Sequence, residues 1–315
     1  MKYKIKNSIV LTSIALFATH LINRFLSATA VVKNLLKSHM GYRFSWRFGN
    51  VFYSKTGSGS PLLLIHDLDP SSSSYEWNEL IQKLSKTHTV YAIDLLGCGR
   101  SDKPNMTYTN YVYVQLISDF IRHVIRAKTD VAVTGLSSSF IIMACYNDPS
   151  LFNKIIIINP ESIARLNMIP NRKSKIAKFI LELPVVGTTV YHILTSRKKL
   201  EYAFTEEYLF NPFRLQMKYL DSYYEAAHFN QSNGKYLLSS KKGLFLNFNI
   251  VKALHEINNS IFILYGDHLH TARMSSESYA RINSSIEIAS IKNTKYLPQI
   301  EAPEQVMEYM NLFLS

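Results

Sequence analysis

Carboxylates are absent from the start of this chain: no Asp or Glu precedes Asp67, while nine Lys and Arg do. Beyond that point 26 bases face 23 acids, so the net charge of +12 over 315 residues gathers at one end. A nucleic-acid partner needs bases along a folded face, and this distribution argues against one. Cysteine is scarce as well. Cys98 and Cys145 cannot supply a disulfide framework, and their spacing fits no zinc site. Only 11 Gly and 10 Pro, against 47% apolar and 12% aromatic residues, exclude collagen-like, low-complexity and disordered chains. What is left is a globular protein, one large domain or a core with an insertion, with no metal or cofactor motif.

The early bases flank an apolar run. Residues 9–22 (IVLTSIALFATHLI) follow Lys2, Lys4 and Lys6 and precede Arg24. The run is short for a spanning helix, which wants about 20 apolar residues, but with flanking bases snorkelling it reaches across. We therefore expect residues 1–41 to be a membrane anchor. A cleaved signal ending near Ala28-Thr29-Ala30, and hence secretion, is the rival reading, with a plain amphipathic helix behind it. Charge is similar on both sides, so orientation stays open.

From Tyr42 short β-branched runs alternate with longer amphipathic ones, the pattern of an α/β protein with a mostly parallel sheet. Strands are expected at 43–48, 51–55, 62–66, 90–94, 131–135, 155–159, 261–265 and 286–291, the first two as a hairpin. Residues 161–253 carry no strand pattern and read as a helical cap inserted into a core formed by 42–160 and 254–315. Ten Phe and Tyr between Tyr202 and Tyr236 suggest either a lid over an apolar pocket or ordinary helix packing.

The chemistry points to VAVTGLSSSF (131–140), where an apolar strand gives way to a helix-like run. A G-x-S-x-G nucleophile elbow needs small residues two before and two after its serine, because the turn is tight; Gly135 and Ser139 fill those places around Ser137. The same serines also fit a helix N-cap. IDLLGCGRSDKP (93–104) and LPQIEAPEQV (297–306), with PLLLIHD (61–67), complete a pattern that resembles the α/β-hydrolase superfamily over about residues 42–315. The resemblance implies an α/β-hydrolase fold: an eight-stranded, mostly parallel sheet with a helical cap. It implies Ser137 as nucleophile and the backbone N–H groups of Leu68 and Ser138 as oxyanion hole. Serine rather than aspartate at the elbow disfavours the epoxide hydrolase and haloalkane dehalogenase branches.

Two positions depart from the family. Its histidine base falls at Tyr296, and a phenol with an ordinary pKa near 10 is a poor base at neutral pH. Its usual acid falls at Leu269. Glu161, Asp267, His268 and His270 are the nearby substitutes, each of which also suits a structural or surface role; His66, ending a buried strand, reads as structural. The expectation is a serine ester or acyl hydrolase with a degenerate triad and weak or unorthodox activity on a small apolar or acyl-type substrate. The alternative is a non-catalytic pseudo-hydrolase at the membrane that binds a ligand or partner. Oligomeric state is not legible.

Overall fold

The computed structural model describes residues 2–36 and 41–315, and the side chains of all of these except 2–6 and 9. Lys37 and the side chains of Lys2, Lys4, Lys6 and Ile9, which contribute to the terminal charge and apolar pattern, lie outside the described residues.

All eight expected strands form: β1 (Tyr42–Trp46), β2 (Gly49–Thr56), β3 (Ser60–Ile65), β4 (His88–Ile93), β5 (Thr129–Thr134), β6 (Phe152–Ile158), β7 (Ile261–Gly266) and β8 (Glu287–Ile291). They make one sheet in the order β1-β2-β4-β3-β5-β6-β7-β8. β1 and β2 pair antiparallel, as does β2 with β4; the other pairs are parallel. This is the α/β-hydrolase fold.

The period of two along each strand splits the core into two layers. Leu63, Ile65, Val131, Val133, Ile155 and Ile157 face one side; Leu62, Leu64, Ala132, Ile156 and Ile158 face the other. Parallel strands need crossover connections, and helices provide them on both faces. After α1 (Lys2–Ala30) these are α2 (Asn78–Leu84), α3 (Asn110–Phe120) and α4 (Ser137–Asn147). Strand β3 lies between β4 and β5, so the chain leaves β3 in one direction and returns on its other side. The carboxyl ends of β3 and β5 therefore flank a topological switch point, where α/β sheets open a crevice.

Between β6 and β7 the described chain holds helices and turns but no strand: α5 (Ile163–Leu166), α6 (Arg172–Glu182), α7 (Val185–Leu194), α8 (Arg197–Tyr202), α9 (Met217–His228), α10 (Lys235–Lys242) and α11 (Val251–Glu256). α11 packs against α4 on the flank of the core. After β7 come α12 (His270–Ile282), then β8, α13 (Pro298–Glu301) and α14 (Pro303–Leu314).

Residues Val10–Ala30 of α1 are long and apolar enough to cross a membrane, and equally to serve as a signal sequence. Its two ends differ. Leu11, Ile14, Phe17 and Ile22 are each at least half exposed, whereas Asn23, Ser27 and Ala30 are buried against the insertion. Asn23 Nδ2 donates to Thr189 Oγ1 at 3.0 Å, and Ser27 Oγ lies 2.8 Å from Ser232 Oγ and 3.4 Å from His192 Nε2. His192 Nδ1 in turn lies 3.1 Å from His228 Nε2, and His228 Nδ1 lies 2.8 Å from Tyr224 O. A carbonyl only accepts, so His228 Nδ1 carries the proton; with His228 neutral its Nε2 accepts from His192 Nδ1, while Ser27 Oγ gives its one proton to Asn23 O at 3.0 Å. That arrangement needs His228 neutral. Burial supports this: it lowers His192 and pushes His228 down to about 4.

The sign of the pH effect follows. Between about 4 and 6.5 the unfolded chain binds a proton that folded His228 refuses, so stability is full above that window and is lost as pH falls through it. Acidification from pH 7 to 5 is expected to cost about 2 kcal/mol and to speed amide exchange at residues 23–30. His228→Phe should flatten this dependence, measured by hydrogen exchange.

Candidate functional site

The crevice at the switch point is a chamber of about 820 Å³ between the strand ends and the insertion. Its floor is set by two turns. β3 ends at Ile65 and runs into His66-Asp67-Leu68; β5 ends at Thr134 and turns through Gly135 and Leu136 into α4. At that second turn Gly135 has φ +55°, the left-handed region, whereas Leu136 already has helical angles.

Both turns converge on one oxygen. Asp67 Oδ1 accepts from Leu68 N at 2.8 Å and from Leu136 N at 2.8 Å. Its other oxygen, Oδ2, accepts from the Tyr296 hydroxyl at 2.7 Å. Two backbone N–H groups at this range, one from the strand-to-helix turn and one from the β3 loop, have the geometry of an oxyanion hole. Here a side-chain carboxylate of the same chain fills it. Burial, then the Asp67 charge, raises the Tyr296 phenol well above its ordinary value, so it remains a donor.

The hole's geometry also locates the turn's apex. The residue that precedes the donor N–H on the strand-to-helix turn is Gly135. A Cβ added there would lie 2.3 Å from Asp67 Oδ1 and 2.9 Å from the Tyr296 hydroxyl, so the space of a side chain is already taken. Ser137 sits two residues on, in the first turn of α4. It is fully buried, its Oγ donates to His66 O at 2.8 Å, and it is not among the residues lining the chamber. Ser138 N donates to Gly135 O at 3.2 Å, and the hydroxyls of Ser138 and Ser139 donate three residues back, to Gly135 O and Leu136 O. The expected projection of the Ser137 hydroxyl over the sheet is thus met by a hydroxyl in the first turn of α4, off the chamber, and the N–H that shares Asp67 Oδ1 with Leu68 N is that of Leu136, not Ser138. Among the described residues, no imidazole nitrogen hydrogen-bonds Ser137 Oγ.

Tyr296 and Leu269 both line the chamber, on the loop after β8 and at the N-cap of α12. Tyr296 is held by Asn159, at the end of β6 with φ +48°, whose Nδ2 donates to Lys295 O at 2.9 Å and Tyr296 O at 2.8 Å. Glu161 also lines the chamber, but its oxygens take Ser162 N at 3.0 Å and Arg165 Nε at 3.3 Å. Asp267 accepts from Thr294 N at 3.2 Å; His268 stacks on Phe210 with centroids 3.8 Å apart; His270 is exposed at the start of α12. None of these three lines the chamber. His66 is structural in its contacts: Nδ1 bonds Asp67 O at 2.7 Å and Nε2 accepts from Leu95 N at 3.0 Å, with burial lowering its pKa.

Of the ten insertion aromatics only Tyr208 and Tyr223 line the chamber; Phe204 and Tyr219 are buried in packing and Phe213 is 97% exposed. Polar groups are more numerous than the apolar-pocket expectation allows. Glu76 is buried there, accepting from Thr134 Oγ1 at 2.6 Å, Gln299 Nε2 at 2.8 Å and the Tyr223 hydroxyl at 3.2 Å. Burial, with the Asp67 charge behind it, pushes its carboxyl up to about 7. Lys241 spans from α10 to the β3 loop, bonding Leu68 O at 2.8 Å and Asp69 Oδ2 at 3.1 Å. No group of three or more His, Cys, Asp or Glu among the described residues is arranged to hold a metal ion.

The sequence signal for this arrangement was Asp67 itself. An aspartate where the family keeps glycine places a carboxylate beside the hole's donors, and only a glycine opposite it leaves room.

The Alpha/beta hydrolase family model matches residues 62–308. An uncharacterized protein of Mycobacterium tuberculosis is 29% identical over 153 residues, which are 46% of this chain and 42% of that protein; the match thus spans less than half of the relative's length. Among solved structures, a serine hydrolase involved in carbazole degradation matches with TM-score 0.72 at 15% identity, over 87% of this chain and 98% of its own. A membrane phospholipase A, described as a bacterial virulence factor, matches with TM-score 0.69 at 17% identity over 100% of this chain and 98% of its own. At these identities the likeness is one of fold.

Two outcomes are expected. Gly135→Ala should destabilise by about 3 kcal/mol, from the left-handed backbone and from displacing a carboxylate that satisfies two buried N–H groups. Asp67→Gly in the same chain should relieve only the clash, since residue 135 stays left-handed and Leu68 N, Leu136 N and the Tyr296 hydroxyl lose their acceptor, so the double variant should remain destabilised, read as unfolding midpoints in detergent. Separately, Glu76 keeps its proton in the folded state between about 4.5 and 7 while the unfolded chain loses it, so its contribution falls as pH rises through that window. Glu76→Gln should therefore gain on the wild type by up to about 3 kcal/mol near pH 7 and by little at pH 4.

Proposed function

The chain belongs to the alpha/beta hydrolase family, and from that membership we propose that it is a non-catalytic member, tethered to a membrane by α1, whose chamber binds a small molecule without turning it over. The observation that carries this reading is the Asp67 carboxylate in the oxyanion hole, facing a glycine. Acyl transfer needs a nucleophile beside two free N–H donors and a base to take its proton. Here the position beside the donors is Gly135, the donors are occupied, and the group next to them is a phenol that donates. Tyr296 and Leu269 stand where the family carries its base and acid, which is the degenerate triad in its full form.

The same charge bears on the ligand. Asp67 is met by three hydrogen-bond donors, none of them a cation, and around it acids outnumber bases on the chamber lining, Asp67, Asp69, Glu76, Glu161 and Glu207 against Arg165, Lys241 and Lys242. A carboxylate or phosphate would be repelled; a neutral or cationic molecule that offers donors fits, with Tyr208 and Tyr223 as its aromatic walls. A fatty acid is therefore the poorer candidate. Support for the tether comes from the apolar length of α1 and from the membrane phospholipase A whose fold matches across the whole chain.

The test is covalent. A fluorophosphonate probe should leave the wild-type protein unlabelled, and p-nitrophenyl butyrate should be hydrolysed no faster than by buffer. Asp67→Gly with Gly135→Ser, Leu269→Asp and Tyr296→His empties the hole and supplies all three groups, so labelling and turnover should appear; triad loss in serine enzymes costs about 10⁴ to 10⁶ in rate. Wild-type labelling at Ser137, or wild-type turnover abolished by Ser137→Ala, would overturn the proposal in favour of a working serine hydrolase.

A further inference from the structure

The insertion exposes several large apolar side chains on two helices. On α6, Ile176, Phe179 and Ile180 are 49%, 65% and 40% exposed, and their spacing puts them on one face. On α7, Val186, Ile193 and Leu194 are 48%, 59% and 43% exposed, again on one face. The buried side of α6 is elsewhere, at Ser174 and Leu181. A patch of this size on a protein surface marks an interaction site.

Charge says with what. Between Glu161 and Glu201 the sole carboxylate is Glu182, against eight Lys and Arg. Glu182 is paired with Lys178 within α6. Arg172, Lys173 and Lys175 are exposed and, among the described residues, make no ion pair. Arg172 and Lys175 line a shallow groove together with Pro170, Ile176 and Phe179, so cations and apolar side chains share one surface. A second copy of this chain would bring the same bases against each other across a symmetric contact, which is unfavourable. An anionic surface with an apolar interior meets both demands.

Position agrees. α7 is the helix that packs on α1, through Asn23 to Thr189 and Ser27 to His192. Ile22 and Phe25 of α1, 58% and 68% exposed, adjoin that contact, as Val186 does on α7.

We propose that the outward face of α6 and α7 is a second membrane contact, lying against the anionic bilayer that α1 enters. Its apolar side chains bury in the headgroup region while Arg172, Lys173 and Lys175 meet lipid phosphates. The inference rests on α1 being in the membrane, and the test separates the two.

The full chain, with Cys98 and Cys145 replaced by Ala, is labelled with an environment-sensitive fluorophore at one of three exposed positions: Leu16→Cys in α1, Phe179→Cys in α6, or Leu312→Cys in α14. Each is reconstituted in vesicles of phosphatidylcholine alone or rich in phosphatidylglycerol, with brominated acyl chains as quencher. Position 16 should be quenched in both and 312 in neither. Position 179 should be quenched in phosphatidylglycerol vesicles, and roughly tenfold less after Arg172→Glu, Lys173→Glu and Lys175→Glu together. Quenching at 16 without any at 179 overturns the second contact and leaves the tether standing. No quenching at 16 overturns the tether, and 179 then decides the α6–α7 face by itself. Concentration-dependent shielding of 179 in the absence of vesicles would assign the face to a second copy and overturn the proposal.

Discussion

One carboxylate holds the floor of this molecule's chamber together. Asp67 gathers two backbone N–H groups and a phenol, drawn from the β3 loop, the β5 turn and the loop after β8, on its two oxygens. Remove it and all three donors lose a buried partner, a larger penalty than the net worth of the bonds themselves. Keep it and the neighbours are constrained. Position 135 must lack a Cβ, and position 296 must donate where a family base would accept. Asp67, Gly135 and Tyr296 therefore belong to one steric and hydrogen-bonding solution.

That solution keeps the two turns of the scaffold paired with each other. An empty oxyanion hole exposes paired N–H donors to water or to stray anions, while a filled one satisfies them permanently. The hole's geometry survives, with both donors at 2.8 Å, because it is backbone geometry set by the β3 loop and the left-handed turn at Gly135.

The sheet was readable from sequence because burial dictates it: LLLI, VAVT, IIII and IFIL are runs that only a strand covered on both faces explains, and each forms one. The family motifs run along the chamber's edge, and Tyr296 and Leu269 line it. The elbow was less legible. Gly-Leu-Ser-Ser-Ser supplies small residues in two overlapping frames, and letters alone favour the frame that contains a nucleophile at its centre. Backbone angle decides it instead: β5 ends at Thr134, so the left-handed residue is Gly135 and the serines fall into α4, where their hydroxyls bond back along the helix. Asn159, which fixes the Tyr296 loop, had no signature because its role depends on strands distant in sequence meeting side by side.

The chamber and the proposed membrane face are joined by short, directional links. Lys241 on α10 ties the insertion to Leu68 O and Asp69 beside the hole; burial alone would lower its pKa, but the charges of Asp69 and Asp67 outweigh that and raise it. α10 packs on α6, which carries the exposed apolar face, and α6 packs on α7, which holds α1. A displacement of α6 thus reaches the loop bearing Asp67 through packed helices and one half-buried ion pair. In the proposed reading, ligand in the chamber and lipid against α6 would bear on the same insertion. If the insertion has two packings, each occupant biases the other's affinity by the same factor, and the coupling is set by how differently the two packings present Lys241 to Leu68.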